Sequence, residues 1–265
     1  MYAIRDTWVM TRRCLRHIVR SPDTIITVLA MPIALMLLMV YVFGTVINTG
    51  SEKYVNFAVP GVIIMTVCSG IAYAAFRLNS DINKGFISRF KSMPVAPSSI
   101  LGGHVASSVL SNLFSVFIVL MVALLIGFRS NAGILGWLAF CGILFLFTLA
   151  TTWLAMFFGL IAKTAEGAGA FSYILLFMIF VSSAFVPTAK MNAALRAFAN
   201  HQPMTPIIGT LRSLLVDGSA GKDVWIALAW CAGLLIVSYL LAIKVYTNRN
   251  ARTIPPEVTP ISKQG

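Results

Sequence analysis

The sequence predicts an all-α membrane protein with six transmembrane helices. Of its 265 residues 58% are hydrophobic and only 11% are charged, with a mean hydropathy of +0.88. A soluble domain carries about a quarter charged residues. A hydrocarbon core of roughly 30 Å requires about 20 consecutive apolar residues for each helical span. The chain contains several such uncharged runs, so a soluble globular protein is excluded.

The limits of the six spans follow from the charged residues, because a charge near the bilayer centre costs roughly 2.5–3.5 kcal/mol on insertion scales. The predicted spans cover residues 24–47, 57–76, 100–127, 134–162, 168–187 and 224–243. They form one domain over residues 23–247.

The first 22 residues are amphipathic instead of uniformly apolar. Arg5, Arg12, Arg16 and Arg20 recur at helical spacing, while apolar side chains such as Trp8 keep largely to other faces. This pattern is typical of a helix that lies in the plane of the lipid headgroups.

A second amphipathic segment lies between spans five and six, within residues 190–217. Gln202 and Pro203 interrupt it, and Thr205 is predicted to cap a helix whose first residue is Pro206. The spacing therefore predicts two short, half-buried helices. The proline-rich tail, residues 248–265, is expected to be disordered.

Lysine and arginine are distributed unequally between the two sides of the predicted topology. With the amino terminus inside, the cytoplasmic side holds Arg5, Arg12, Arg13, Arg16, Arg20, Arg77, Lys84, Arg89, Lys91, Lys163, Lys244, Arg249, Arg252 and Lys263. The outer side holds Lys53, Arg129, Lys190, Arg196, Arg212 and Lys222. Basic residues favour cytoplasmic loops, so a cell-membrane protein with both termini inside is expected.

The sequence offers little chemistry of its own. Acidic residues lie at span edges or outside the spans, which disfavours an ion-coupled carrier. His17, His104 and His201 are isolated, and each is interpreted as structural. The four cysteines are scattered, so neither a disulfide framework nor a zinc site is predicted. There is no P-loop and no nucleophile motif, so neither a cofactor nor catalysis is expected, and a partner must supply the energy for any work.

The loop between spans two and three, residues 78–99, mixes charges with the apolar residues Phe86, Ile87, Phe90 and Met93. Two interpretations fit this composition. A short amphipathic helix could offer its apolar edge to a soluble partner, or the loop could be a solvated connection that obeys the positive-inside rule.

At this loop the sequence resembles the type-2 ABC export permeases, and among them the daunorubicin-resistance-like exporters of drugs and lipids. The similarity rests on Asp81, Gly85, Arg89-Phe90-Lys91 and Pro94-Val95, with Asp81 in place of the commoner Glu. The Arg20-Ser21-Pro22 step is similar, as is the Gln202-Pro203 turn before a helix that ends in Leu211-Arg212, although family members usually have Asn at this Gln. The resemblance covers residues 1 to about 246.

The resemblance implies a pair of permease subunits around a translocation pathway, each docked on a separate ATPase that binds ATP and magnesium. It assigns ATPase coupling to Asp81, Lys84, Gly85, Arg89, Phe90, Met93 and Pro94. It places Arg13, Arg16 and Arg20 at the membrane surface and makes the outer segment re-entrant, with Pro203, Thr205, Pro206 and Arg212. Spans two and five would line the pathway through Met65, Ser69, Tyr73, Phe76, Phe177, Phe180 and Ser183.

The implied cargo is a hydrophobic drug or a lipid-like molecule. A glycan exporter of the same superfamily and a carrier without an ATPase are the alternatives, and a lipid-modifying membrane enzyme is less favoured. Methionine and aromatic side chains adapt to varied apolar shapes, but the same residues also face lipid or pack between helices. Lys163 and Glu166, three residues apart, could form a local pair or contact the ATPase.

Overall fold

The computed structural model describes residues 11–12, 22–44, 53–85 and 97–251, and every regular element among them is helical. The helices are α1 (Pro22–Leu38), α2 (Tyr54–Asn83), α3 (Pro97–Ile126), α4 (Ile134–Ile161), α5 (Ala165–Gly169), α6 (Ser172–Phe180), α7 (Ala193–His201), α8 (Met204–Arg212) and α9 (Val224–Ala251). A π turn, Met39–Phe43, continues α1, and a second one, Ser213–Asp217, continues α8.

Helix α2 occupies the centre of the bundle. In its most apolar 18-residue stretch 83% of the residues are buried, compared with 33% in α3, 44% in α4 and 22% in α9. Helices α1, α3, α4, α5, α6 and α8 all pack against α2. The sequence explains this position, because α2 carries small residues where neighbours come closest. Gly61 lies against Ala184, and a side chain at that position would clash with it.

The helices alternate in direction, so the bundle has two distinct ends. At the loop end, α2 finishes at Asn83 and α3 begins at Pro97, next to the junction of α4 and α5. At the elbow end, so called after the break between α7 and α8, α2 begins at Tyr54, near α8 and the α3–α4 connection.

Helices α2 and α3 form a closely packed antiparallel pair. A Cβ at Gly70 would overlap the Oδ1 atom of Asn112 on α3. On the other flank α9 packs along α4, where the rings of Trp153 and Tyr239 meet edge to face with centroids 4.8 Å apart. Small residues at helix crossings are typical of helices that associate in membranes.

Four helices are long and apolar enough to cross a bilayer: Tyr54–Asn83, Leu101–Ile126, Ile134–Ile161 and Val224–Asn248. Spans three and four were predicted to within three residues at each end. Span two is longer than predicted, because residues 78–83, expected as loop, continue α2. The apolar helices at the first and fifth predicted spans, Val28–Phe43 and Ala165–Phe180, are shorter.

The fifth span departs from the prediction of one helix over residues 168–187. Helices α5 and α6 meet at a turn at Ala170 and Phe171, and the helix ends at Phe180. After it, the Ser182 hydroxyl donates to the Ile179 carbonyl and accepts from the Ala184 N–H. These local bonds stabilise turns, and serine competes for helical backbone groups in this way.

At the two termini the comparison is partial. The predicted amphipathic helix lies outside the described residues except for Thr11 and Arg12, which are helical, and Pro22, where α1 begins. Helix α9 continues to Ala251, so four residues expected in the disordered tail are helical, and the remainder of the tail is not described.

Candidate functional site

The loop end of α2 has a defined stop. The Lys84 N–H donates to the Ser80 carbonyl and the Gly85 N–H to the Ile82 carbonyl, both at 3.0 Å. Gly85 has φ +69°, a left-handed conformation that favours glycine over any residue with a Cβ. Gly85, expected from the family resemblance as a coupling residue, therefore has a structural role in ending α2.

Asn79 joins the end of α2 to the end of α4. Its side-chain amide donates to the carbonyls of Gly159, at 3.0 Å, and Ala162, at 2.7 Å. Asn83 in turn donates to the Asn79 side-chain oxygen at 2.8 Å. The last carbonyls of a helix lack intrahelical partners, so these bonds satisfy groups that would otherwise be unpaired. The same bonds explain why residues 78–83 remain helical in spite of their polar composition.

Asp81 lies on the α3 side of the same helix end. Its Oδ2 atom is 3.4 Å from Nε2 of His104, which is 5% exposed on α3. The sequence offered one signal for His104, an isolated histidine two turns after the loop in an uncharged helix, but no reason to pair it with Asp81. The structure brings together a predicted coupling residue and a histidine interpreted as merely structural.

The predicted pathway residues of α2 divide into two groups. Ser69, Tyr73 and Phe76 form an incompletely buried stripe along α2, which Ser80 continues, and Phe76 is 38% exposed. Met65 is fully buried in the core. The spacing of one helical turn explains the stripe, since residues three and four apart share a face. Met65 lies four residues before Ser69 on the same face, but it is fully buried and is thus a packing residue in this subunit.

The predicted residues of span five lie on α6 and the turn after it. Phe177 and Phe180 are exposed together with Tyr173 and Ile174 on one face of α6. Ser183 lies in the turn, and its carbonyl is used by an arginine of α8. This exposed aromatic face and the stripe on α2 are the surfaces where the structure leaves the predicted pathway side chains accessible.

At the elbow end that arginine, Arg212, joins three elements. Its Nε donates to the Phe57 carbonyl of α2 at 3.1 Å, and its Nη2 donates to the Ser183 carbonyl at 2.6 Å and the Ala184 carbonyl at 3.4 Å. Its guanidinium carbon lies 3.6 Å from the centroid of the Phe57 ring. A planar cation with several donors suits a group of backbone carbonyls beside an aromatic face.

Tyr54 strengthens the same junction. Its hydroxyl donates to the Phe185 carbonyl at 2.9 Å. Together with the close contact between Gly61 and Ala184, this bond attaches the turn after α6 to the first two turns of α2. The backbone carbonyls of this non-helical turn thus accept hydrogen bonds from side chains of α2 and α8.

The α7–α8 elbow corrects the prediction for Thr205. Helix α8 begins at Met204, with Pro203 as the preceding residue and no side-chain capping bond. Thr205 and Pro206 therefore lie inside the first turn. Gln202, 4% exposed at the break, has no hydrogen-bond partner for its amide among the described residues, and neither has the Thr205 hydroxyl.

Several other predicted residues fall outside the described part of the chain: Arg13, Arg16, Arg20, Arg89, Phe90, Met93 and Pro94. Lys163 and Glu166 are both described and exposed, and they form no ion pair with each other. Glu166 lies instead in the first turn of α5, which Thr164 caps by accepting from the Gly167 N–H at 3.1 Å.

Long apolar helices around a central helix, tied at both ends by polar contacts, define a polytopic α-helical membrane protein. The model of the ABC-2 type transporter family matches residues 5–216, and the chain belongs to that family. The match includes the loop end and the elbow end. Membership implies an ATP-binding cassette partner.

Individual relatives agree with this assignment. The chain is 30% identical over 251 residues to the daunorubicin resistance ABC transporter permease protein DrrB1 of Streptomyces coeruleorubidus. The aligned region covers 94% of this chain and 88% of the relative. It is 22% identical over 237 residues to a probable doxorubicin resistance ABC transporter permease protein, DrrC, of Mycobacterium tuberculosis. Here the aligned region covers 88% of this chain and 85% of the relative. These relatives are named as permeases, so the chain is a transmembrane permease subunit.

Proposed function

We propose that this permease exports hydrophobic drugs or lipid-like molecules, with a separate ATPase subunit that binds ATP and magnesium. One observation carries the proposal: the 30% identity to a daunorubicin resistance permease extends over nearly all of both chains. The exposed aromatic face of α6, with Tyr173, Phe177 and Phe180, supports an apolar cargo.

The proposed topology has six crossings with both termini in the cytoplasm. The first crossing combines the 17 residues of α1 with the five-residue π turn, which together rise about 30 Å, the thickness of the hydrocarbon core. The fifth combines α5, α6 and the turn after α6. The unequal distribution of lysine and arginine supports a cytoplasmic loop end.

Cysteine labelling in intact cells tests this orientation. In a background without other cysteines, Lys222→Cys at the elbow end should react with an impermeant maleimide. Lys163→Cys at the loop end should react only after the membrane is permeabilised. The reverse pattern would overturn the orientation.

The proposed docking site for the ATPase is the loop end. Lys84 and the residues that follow it, Arg89, Phe90, Met93 and Pro94, would contact the ATPase, and Gly85 would set the direction in which the chain leaves α2. Arg13, Arg16 and Arg20 would hold an amino-terminal helix at the same membrane surface. A second permease subunit, identical or related, would complete the pathway.

Charge reversal in the loop tests the docking site. Arg89→Glu should reduce co-purification of the ATPase, because it reverses a charge at the proposed contact. Lys222→Glu, the same change at the opposite end, should leave co-purification as in wild type. Equal co-purification in both variants would contradict docking at this loop.

The proposed pathway surface is tested by truncating exposed aromatic residues. Phe177→Ala on α6 should change which apolar cargoes are exported, whereas Phe145→Ala should not. Phe145 is a suitable control because it is 47% exposed on α4, compared with 62% for Phe177, and it lies outside the predicted pathway.

The decisive experiment combines the chain with a P-loop ATPase encoded beside it and measures daunorubicin in inside-out vesicles. ATP-dependent uptake that requires both chains is the expected result. Uptake by this chain alone under an ion gradient would support a carrier. Uptake of a lipid-linked glycan with no daunorubicin uptake would support a glycan exporter.

A further inference from the structure

The contact between Asp81 and His104 joins the two helices that flank loop 84–96. Asp81 lies in the last turn of α2, four residues before Gly85, and His104 lies in the second turn of α3, seven residues after Pro97. Their 3.4 Å separation therefore closes a short ring through the loop. The contact therefore links the two helix ends to each other directly, in addition to the loop that joins them.

Burial makes the contact selective. His104 is 5% exposed, and its Nε2 atom forms no hydrogen bond with the described residues. A buried imidazole nitrogen needs a polar neighbour, and the Oδ2 atom of Asp81 lies within ion-pair distance of it, at 3.4 Å. Asp81 supplies a carboxylate oxygen from the neighbouring helix, while Arg77 and Lys84 share its face of α2 at helical spacing. The position assigned by family resemblance to ATPase contact thus directs its carboxylate into this subunit.

Helix α2 extends the contact to the other end of the bundle. It is one 30-residue helix, and its first two turns hold the carbonyl of Phe57 that accepts from Arg212. The central helix thus has a polar link near each end, Asp81 to α3 at the loop end and Phe57 to α8 at the elbow end. A rigid element with two such links transmits displacement between them.

We propose that Asp81 and His104 are positioning residues for energy coupling: their contact makes α2 and α3 move as one unit when the ATPase acts on the loop. This inference rests on the proposed function, since it requires an ATPase at the loop end. It differs from the family expectation for Asp81, because Asp81 acts through His104 and not on the ATPase.

The experiment uses Asp81→Asn, His104→Phe and the double variant, each assembled with the ATPase. His104→Phe keeps a ring of similar size and removes both ring nitrogens. The readout is the labelling rate of Ser219→Cys, exposed at the elbow end, in a background without other cysteines, with and without ATP and vanadate. This readout requires no cargo.

In wild type ATP should change the labelling rate. All three variants should bind the ATPase normally, and in each the ATP-dependent change in labelling rate should be about five- to tenfold smaller than in wild type. The double variant should show no greater reduction than either single variant, because residues in direct contact act non-additively. The swap Asp81→His with His104→Asp should restore part of the change. Asp223→Asn and His201→Gln, away from the loop end, should behave as wild type.

Three results would overturn the inference. The first is loss of ATPase binding in Asp81→Asn but not in His104→Phe, which would make Asp81 a direct ATPase contact. The second is a wild-type labelling change in the variants, and the third is no ATP-dependent change in wild type. Failure of the proposed function is recognised separately. A wild-type chain that binds no ATPase refutes it together with the inference, whereas ATP-dependent labelling without daunorubicin export refutes only the cargo.

Discussion

The guanidinium of Arg212 lies 3.6 Å from the ring centroid of Phe57, and its Nε donates to the carbonyl of the same residue. One residue of α2 therefore receives both a cation–π contact and a hydrogen bond from α8. Its Nη2 donates to the carbonyls of Ser183 and Ala184 in the turn after α6. One side chain of α8 thus joins the first turn of α2 to the turn after α6.

Removal of this side chain should destabilise the protein. Arg212→Gln loses charge-assisted bonds to carbonyls of a partly buried junction, which corresponds to about 2–3 kcal/mol and a fall in melting temperature of roughly 5–10 °C in detergent. Arg196→Gln is a matched control, because Arg196 also donates to three carbonyls, those of Thr188, Ala189 and Met191, but within one exposed local turn. A similar fall for both variants would show that the junction adds nothing beyond local bonding.

The close approach of α2 and α3 gives a second prediction. Gly70→Ala should lower the melting temperature, because the added methyl overlaps Oδ1 of Asn112. Asn112→Ala in the same chain should restore much of the loss, since it removes the overlapping atom. Gly142→Ala, with open space around its position on α4, should be neutral or slightly stabilising. Lack of rescue by Asn112→Ala would contradict this helix contact.

Asn79 gives a third prediction. Asn79→Ala leaves the carbonyls of Gly159 and Ala162 without their donor, and each buried unpaired group costs about 1–3 kcal/mol. Asn192→Ala is the control, because Asn192 is exposed before α7 and makes no side-chain capping bond. Thermal unfolding of the two variants measures the difference, and equal melting temperatures would argue against the bonds of Asn79 to α4.

Gly85 gives a fourth prediction, which separates its conformation from its chemistry. Gly85→Ala should cost roughly 1 kcal/mol because φ is positive, and Gly85→Asn should cost less because asparagine tolerates this conformation. If Gly85 acts by directing the chain towards the ATPase, export of daunorubicin should follow the same order: wild type, then Asn, then Ala. Loss of export in Gly85→Asn with normal stability would indicate instead that the ATPase touches this position.

The sequence by itself determined the class of protein, because uncharged apolar runs of bilayer length have few other uses. It also predicted the bounds of α3 and α4 closely, since Gly127 and the polar turn after it interrupt the apolar pattern between the end of α3 and the start of α4. The family and the loop of interest followed from motifs such as Asp81 with Gly85. All of these depend on residues close together in the chain.

Only the tertiary structure decided which polar residues meet. Arg212 and Phe57 are 155 positions apart, and Asn79 and Gly159 are 80 apart, so local patterns contain no signal for either contact. The same distant contacts explain where the predicted ends of spans two and five were wrong. Residues 78–83 stay helical because α4 supplies carbonyl acceptors. The helix of span five ends early because Arg212 and Tyr54 bind the carbonyls beyond Phe180. In a bilayer the backbone polar groups need partners within the protein, and the packing of the helices determines which side chains supply them.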